Sequence, residues 1–300
     1  MNVLLCGDLD ERERREWHQA LSAAMPEARW LDLAAARAAP QSVQAAVVAN
    51  PPPGSLQGLP ALGLIQSLWA GVDRLLADPT LPEGVPVARM VDPLMNAAMT
   101  ETALWAVLSL HRGFFAYAQR QRQGVWRVHA QRRADEVRVL VLGQGQMGRA
   151  VLARLVPLGY AVSTWRRDGT ALVPLLACAD IVINLLPLTA QTRGLLDRRF
   201  FAALPDRASI VNLGRGGHVV DAELLQALDS GHLRHAVLDV FHTEPLPPDN
   251  AYWRHPRVTM LPHAAAGTDA RSAAAVAVAN LRAWRDGGEV LHRVERTRGY

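Results

Sequence analysis

The side chains best suited to chemistry in this 300-residue chain fall in its second half, each just beyond a short apolar run. Gly143-Gln144-Gly145-Gln146-Met147-Gly148 follows the run Val137–Leu142 and precedes a helical pattern over Arg149–Leu158. In a strand–turn–helix setting such a loop binds the diphosphate of a dinucleotide. Gly143 permits the turn, Gly145 lets the backbone approach the ligand, and Gly148 lets the helix pack on the strand. The helix N-terminus then turns free N–H groups toward phosphate. The next run, Ala161–Trp165, ends in Thr164-Trp165-Arg166-Arg167. An acidic residue there would bond a ribose 2′-hydroxyl, whereas guanidinium groups pair bidentately with a 2′-phosphate. NADP(H) is therefore expected ahead of NAD(H), with Asp168 keeping NAD(H) open.

Three further segments place polar residues where apolar runs end. Arg215 sits in the Gly-rich turn Asn212–Gly217. Asp239 lies within the run before Phe241, and Glu244 lies beyond it, before Pro245. His263 follows the run Val258–Leu261. Ligands of an open parallel sheet bind beyond the carboxyl ends of its strands, so segments far apart in sequence can share one crevice.

The elements that must position them alternate between strand and helix. Asn2–Cys6, Ala45–Ala49 and Leu64–Leu68 read as strands, and Glu11–Ala24 reads as an amphipathic helix. Met99–Gln119 reads as one long helix, followed by a polar Arg- and Gln-rich stretch to Glu136. A second series follows: Val137–Leu142, Ala161–Trp165, Ile181–Leu185, Ser209–Leu213, Ala236–Val240 and Val258–Leu261. Apolar runs on that rhythm predict a parallel sheet buried on both faces. An Ala-rich helix over Thr268–Asp286 closes the chain.

Half of the residues are apolar and 20% are charged, an ordinary globular balance. No apolar stretch approaches the ~20 residues that span a bilayer. All 32 basic Lys/Arg positions are arginine. With no lysine, Schiff-base chemistry, a Walker phosphate loop and a lysine general acid are excluded. Acidic residues nearly balance the arginines, giving a net charge of +4, and Arg120–Arg133 is the nearest thing to a basic patch. No nucleic-acid partner is expected, no membrane association, and a cytoplasmic location. Cys6 and Cys178 are expected to be two buried thiols. No His/Cys/Asp/Glu cluster has metal-ligand spacing, so no metal is expected.

Gly143–Gly148, Asn184–Thr192 (NLLPLTAQT), Asn212–Gly217 (NLGRGG), Leu238–Pro247 (LDVFHTEPLP) and His255–His263 (HPRVTMLPH) together resemble the D-isomer-specific 2-hydroxyacid dehydrogenases, in that family's order and spacing. The closest likeness is to its glyoxylate/hydroxypyruvate reductase A branch, through the Trp-Arg end of the second strand, the Ala70-Gly71-Val72-Asp73 turn and the final Arg298-Gly299-Tyr300. The match covers almost the whole chain and is diffuse before Leu62. The resemblance implies two doubly wound α/β parallel-sheet domains of Rossmann/flavodoxin-like type with a cleft between them. One is a discontinuous substrate-binding domain, 1–92 and 267–300, and the other an NADP-binding domain, 93–266.

It also implies roles. Arg215 would bind the carboxylate and carbonyl of a 2-oxo acid, as a planar cationic fork can. His263 would protonate the developing alkoxide as general acid. Glu244 would orient that ring and favour its charged form. The backbone of Ala70, Gly71 and Val72 would cradle the substrate carboxylate. Asp239 would face the nicotinamide carboxamide. Leu186, Pro187 and Thr192, with Leu213 and Gly214, would line the cofactor alongside the Gly143–Gly148 loop and Trp165, Arg166 and Arg167. His242, near Glu244, is read as a decoy. The implied activity is NADPH-dependent reduction of glyoxylate to glycolate and of hydroxypyruvate to D-glycerate, in a homodimer formed through Thr100–Gln119 and the polar segment after it. Two rivals stay open at this point: a dehydrogenase acting on another 2-oxo acid or donor, and a catalytically silent NADP-sensing binding protein.

Overall fold

Runs of Val, Ile, Leu and Ala form the strands, and every strand pair is parallel. The computed structural model describes residues Met1–Tyr300. The chain folds as two units, Met1–Met95 with Thr268–Tyr300, and Asn96–Gly267.

The first unit holds β1 (Asn2–Gly7), β2 (Arg29–Leu31), β3 (Ala45–Ala49), β4 (Leu64–Ser67) and β5 (Val87–Ala88), in the order β2-β1-β3-β4-β5. Its helices are α1 (Glu11–Ala24), α2 (Leu33–Ala38), α3 (Asp73–Leu76) and the C-terminal α10 (Ala270–Arg285). Asp10 caps α1 by accepting the Glu13 N–H at 2.7 Å, while Glu13 accepts the Asp10 N–H at 2.9 Å, a reciprocal cap that satisfies two otherwise orphaned donors. Asn280 fixes α10 to the sheet by donating to the Gln66 side chain of β4 at 2.8 Å. A Cβ at Gly63 would lie 2.2 Å from the Trp284 ring, so only glycine lets that indole pack there.

Helix α4 (Pro93–Arg112) carries the chain into the second unit. There β6 (Arg138–Leu142), β7 (Ala161–Trp165), β8 (Ile181–Asn184), β9 (Ala208–Asn212), β10 (Leu233–Leu238) and β11 (Val258–Met260) run in the order β11-β10-β9-β8-β6-β7. Its other helices are α5 (Phe114–Arg122), α6 (Gln146–Leu155), α7 (Val173–Leu176), α8 (Arg198–Ala202) and α9 (Asp221–Asp229). Alternate residues of one strand enter different cores. Leu140 and Leu142 pack on one face, and Val139 and Val141 on the other. This two-sided burial explains the continuous apolar runs. The strand order reverses between β6 and β8, which places a ligand crevice at their carboxyl ends.

Several expectations need correction. The helix expected over Met99–Gln119 is broken at Gly113, whose φ of 73° is left-handed, and α5 starts anew. Strand β7 lies at the sheet edge and is only partly buried. Strands β2 and β5, of three and two residues, were too short to show a pattern. Cys6 is buried, and burial pushes its thiol up to about 12. Cys178, expected to be buried, is exposed just after α7.

Asp180, entering β8, accepts from Arg132 at 2.9 and 3.2 Å, from the Arg138 N–H at 2.8 Å and from the Arg138 guanidinium at 3.3 Å. Burial alone would raise its carboxyl, but these donors outweigh burial and hold it below the ordinary value. Its stabilisation is present above the unfolded-state value of about 3.9 and fades as pH falls through the lower folded value. We expect Asp180→Asn to reduce unfolding free energy at neutral pH by about 1–3 kcal/mol and to flatten the acid limb of the stability–pH curve, both measured by chemical denaturation. Equal stability of variant and wild type at pH 7 would show that the cluster is ornamental.

Candidate active site

All six strands of the second unit deliver loops to one end of its sheet. Beyond β6, Gly143 adopts φ 104°, and a Cβ there would lie 2.8 Å from the Leu185 carbonyl oxygen. A Cβ at Gly148 would lie 1.9 Å from the Gly143 oxygen. The turn and the helix packing thus both require glycine. A Cβ at Gly145 would meet no protein atom within 4 Å, so its backbone is open to an incoming group. Gly145 is the N-cap of α6 and offers no side-chain cap, which leaves first-turn N–H groups for an anion. These features fit a dinucleotide diphosphate.

A cavity of about 250 Å³ adjoins this loop, lined by Gln144, Gly148, Arg149, Leu152, Thr164 and Arg166. Gln144 spans it by donating to the Thr164 hydroxyl at 2.7 Å. Arg166 pairs with Asp168 at 2.6 Å, and the Thr170 hydroxyl together with Arg166 holds the Asp168 carboxyl at about 2. Asp168 therefore stays ionised and occupied with its neighbours. The Arg167 side chain is exposed. Trp165 is only 5% exposed, lies in the core, and donates from its indole N–H to the Thr170 carbonyl at 2.8 Å. It anchors the turn from beneath.

Beyond β10 and β11 the chain brings a histidine and a carboxylate together. Asp239 falls one residue past β10 and is 1% exposed. Its Oδ1 accepts the N–H groups of Ala264 at 2.7 Å and Ala265 at 3.0 Å, and its backbone carbonyl accepts that of His263 at 2.8 Å. Burial pushes the Asp239 carboxyl up, opposed by those N–H groups and by His263. On the turn so held, His263 adopts φ 53°, an uncommon left-handed conformation for a residue with a side chain. Its Nδ1 lies 2.7 Å from Glu244 Oε2, and Glu244 Oε1 accepts the Phe241 N–H at 2.8 Å. A carboxylate accepts in this bond, so Nδ1 carries its hydrogen and Nε2 is the ring nitrogen not engaged by Glu244. Half of the His263 side chain is solvent-exposed.

Arg215 follows β9, partly exposed, with its Nη1 donating to the Gly214 carbonyl at 2.8 Å. A Cβ at Gly216 would lie 2.0 Å from the Phe241 carbonyl carbon. This contact sets the Arg215 turn directly against the loop that carries Glu244. Leu186, Thr192 and Leu213 are buried, with the Thr192 hydroxyl donating to the Pro187 carbonyl at 2.7 Å. The Nε2 of His242 lies 2.8 Å from the Val219 carbonyl. Ala70, Gly71 and Val72 form the turn after β4 in the first unit, where Val72 is the N-cap of α3. No group of three or more His, Cys, Asp or Glu side chains is placed to hold a metal ion.

Sequence reasoning assigned no role to Asn184, Asn212 or His218, which are fully buried. A signal existed: Asn184 and Asn212 each end a Val/Ile strand, and they are register partners.

The model of the D-isomer specific 2-hydroxyacid dehydrogenase NAD binding domain matches residues 104–265. The chain is 34% identical to the glyoxylate/hydroxypyruvate reductase A of Yersinia enterocolitica, over 96% of this chain and 97% of that one. It is 37% identical to that of Serratia proteamaculans over 95% and 96%. Among solved structures it is similar to a D-isomer specific 2-hydroxyacid dehydrogenase from Xanthobacter autotrophicus in complex with NADPH, with a TM-score of 0.92, 37% identity and 99% coverage of both chains. It is also similar to an NADPH-dependent glyoxylate/hydroxypyruvate reductase from Sinorhizobium meliloti in complex with NADP and sulfate, with a TM-score of 0.91, 31% identity and coverage of 100% and 99%. The chain belongs to the D-isomer specific 2-hydroxyacid dehydrogenase family, and its second unit contains that family's NAD-binding domain.

Proposed function

We propose that this chain reduces small 2-oxo acids, glyoxylate to glycolate and hydroxypyruvate to D-glycerate. It is an NADP-dependent oxidoreductase of its family. The observation that carries the substrate reading is the Glu244–His263 pair, 2.7 Å apart on a turn clamped to Asp239. It shares a sheet end with Arg215 and the glycine loop. The names of the relatives support the substrate class.

When bound, NADPH supplies hydride to the substrate carbonyl carbon. Arg215 binds the carboxylate and polarises the carbonyl, presenting planar positive charge where negative charge develops. His263 Nε2–H delivers a proton to the nascent alkoxide, and Glu244 holds the ring in place through Nδ1. The N–H groups of Ala70, Gly71 and Val72 serve the substrate carboxylate. Gly143–Gly148 holds the diphosphate, Arg166 and Arg167 hold the 2′-phosphate, and Asp239 takes the carboxamide. Leu186, Pro187, Thr192, Leu213 and Gly214 shape the nicotinamide side, and Trp165 supports the adenosine side.

A homodimer belongs to this proposal. Trp126 is fully exposed, Val128 is 80% exposed and Phe114 is 54% exposed, on α5 and the segment after it. Exposed apolar side chains gathered in one stretch of chain are the kind of surface that a protein–protein interface covers. Sedimentation should give twice the 32.7 kDa chain mass, reduced toward one chain by Trp126→Ser with Val128→Ser. A monomeric wild type at micromolar concentration would remove the dimer from the proposal.

The functional test follows loss of NADPH absorbance on adding glyoxylate or hydroxypyruvate. Turnover is expected, and His263→Ala should lower kcat by about 10²–10⁴-fold while leaving NADPH affinity intact. Wild-type turnover in that variant would contradict the role of His263. Arg166→Ala with Arg167→Ala should lower kcat/KM for NADPH by about 10–100-fold and barely change it for NADH. An equal fall with both cofactors would take the 2′-phosphate away from these arginines.

A further inference from the structure

Behind Arg215 lies a cluster of three polar side chains, Asn184, Asn212 and His218, each with no exposed surface. Burying polar atoms is costly unless each finds a partner, and here the partners are one another and backbone groups of the Arg215 turn and the Leu186–Pro187 stretch. His218 Nε2 lies 3.2 Å from the Pro187 carbonyl. Its Nδ1 also lies 3.1 Å from the Arg215 carbonyl, but the Asn184 amide and the Arg215 N–H both donate to it, so Nδ1 accepts and the ring hydrogen sits on Nε2. That Nδ1 receives the Asn184 amide at 2.9 Å and the Arg215 N–H at 3.2 Å. Asn184 also donates to Asn212 Oδ1 at 2.9 Å and accepts the Leu186 N–H at 3.2 Å. Asn212 accepts the Gly214 N–H at 3.2 Å and donates to the Arg215 carbonyl at 3.0 Å.

The Arg215 peptide is thus held at both its N–H and its carbonyl. The same imidazole bonds Pro187, in the stretch that follows β8. One buried ring joins two loops from neighbouring strands. Replacing it would unfasten the Arg215 turn from the Leu186–Pro187 stretch without touching any group that meets substrate.

We propose that His218 is a positioning residue: its buried ring sets the backbone of Arg215, and thereby the aim of the guanidinium at the substrate, relative to Leu186–Pro187. The proposal rests on the reading of Arg215 as substrate anchor. Its chemistry demands an acceptor and a donor on opposite sides of a flat ring. Gln supplies both on a flexible stem, and Leu supplies neither.

The test compares His218→Leu, His218→Gln, Arg215→Ala and the Arg215→Ala/His218→Leu double variant in NADPH oxidation with glyoxylate. NADPH affinity is read separately by fluorescence. His218→Leu should raise KM for glyoxylate about tenfold or more, a larger change than any in NADPH affinity, and His218→Gln should recover part of that loss. Placed on Arg215→Ala, the leucine change should add little, because both act through one group. If His218→Leu does not fold, Asn212→Ser carries the same readout by removing the bond to the Arg215 carbonyl. An unchanged KM in a folded His218→Leu, with Arg215→Ala strongly impaired, would overturn the positioning role alone. So would full additivity of the two changes. An unimpaired Arg215→Ala would instead overturn the anchor reading and this inference with it.

Discussion

Asp239 is 1% exposed, and one of its carboxylate oxygens gathers the N–H groups of Ala264 and Ala265 while its backbone carbonyl takes that of His263. Three bonds from one residue fix the turn after β11 to the end of β10. Loss of the carboxylate would leave two donors unmet, that of Ala265 buried. The left-handed backbone of His263 persists because this clamp over-determines it. With the turn fixed, the imidazole meets Glu244 at 2.7 Å, and the remaining ring nitrogen has one direction in which to act.

The sheet gives that clamp something rigid to stand on. Strands β6, β8, β9 and β10 are buried on both faces, so their carboxyl ends move little relative to one another. Register then puts Asn184 beside Asn212, and Asn212 beside Leu238. Glycines supply the remaining closeness. Gly216 lies so near the Phe241 backbone that no side chain fits, and this brings the Arg215 turn against the Glu244 loop. Packing, hydrogen bonding and chain reversal all converge on a few residues at one sheet end.

Much of this was legible in the chain. Continuous apolar runs marked the buried parallel strands, and the glycine spacing marked the loop after β6, because both follow from steric rules that act locally. Arg215, Glu244 and His263 stood out as polar residues where apolar runs end. Other features were hidden because they depend on partners remote in sequence. Asp239 showed as a carboxylate in an apolar run, but its N–H donors lie 25 and 26 residues away. His218 looked like one histidine among ten, since two of its partners, Asn184 and Pro187, lie 34 and 31 residues away. Periodicity carried the helical pattern straight through Gly113, where left-handed backbone ends it. Cys178 follows an apolar stretch, yet that stretch is a single helical turn that turns the thiol to solvent.

The most direct test of hydride delivery to a 2-oxo acid anchored by Arg215 and protonated by His263 is the stereochemistry of labelled turnover. Hydroxypyruvate would be reduced with NADPH carrying deuterium at the transferred nicotinamide position, and the product resolved by chiral chromatography and mass spectrometry. Glycerate of the D configuration only, with one deuterium at C2, is expected. Product of mixed or L configuration, or D-glycerate without the label, would contradict it.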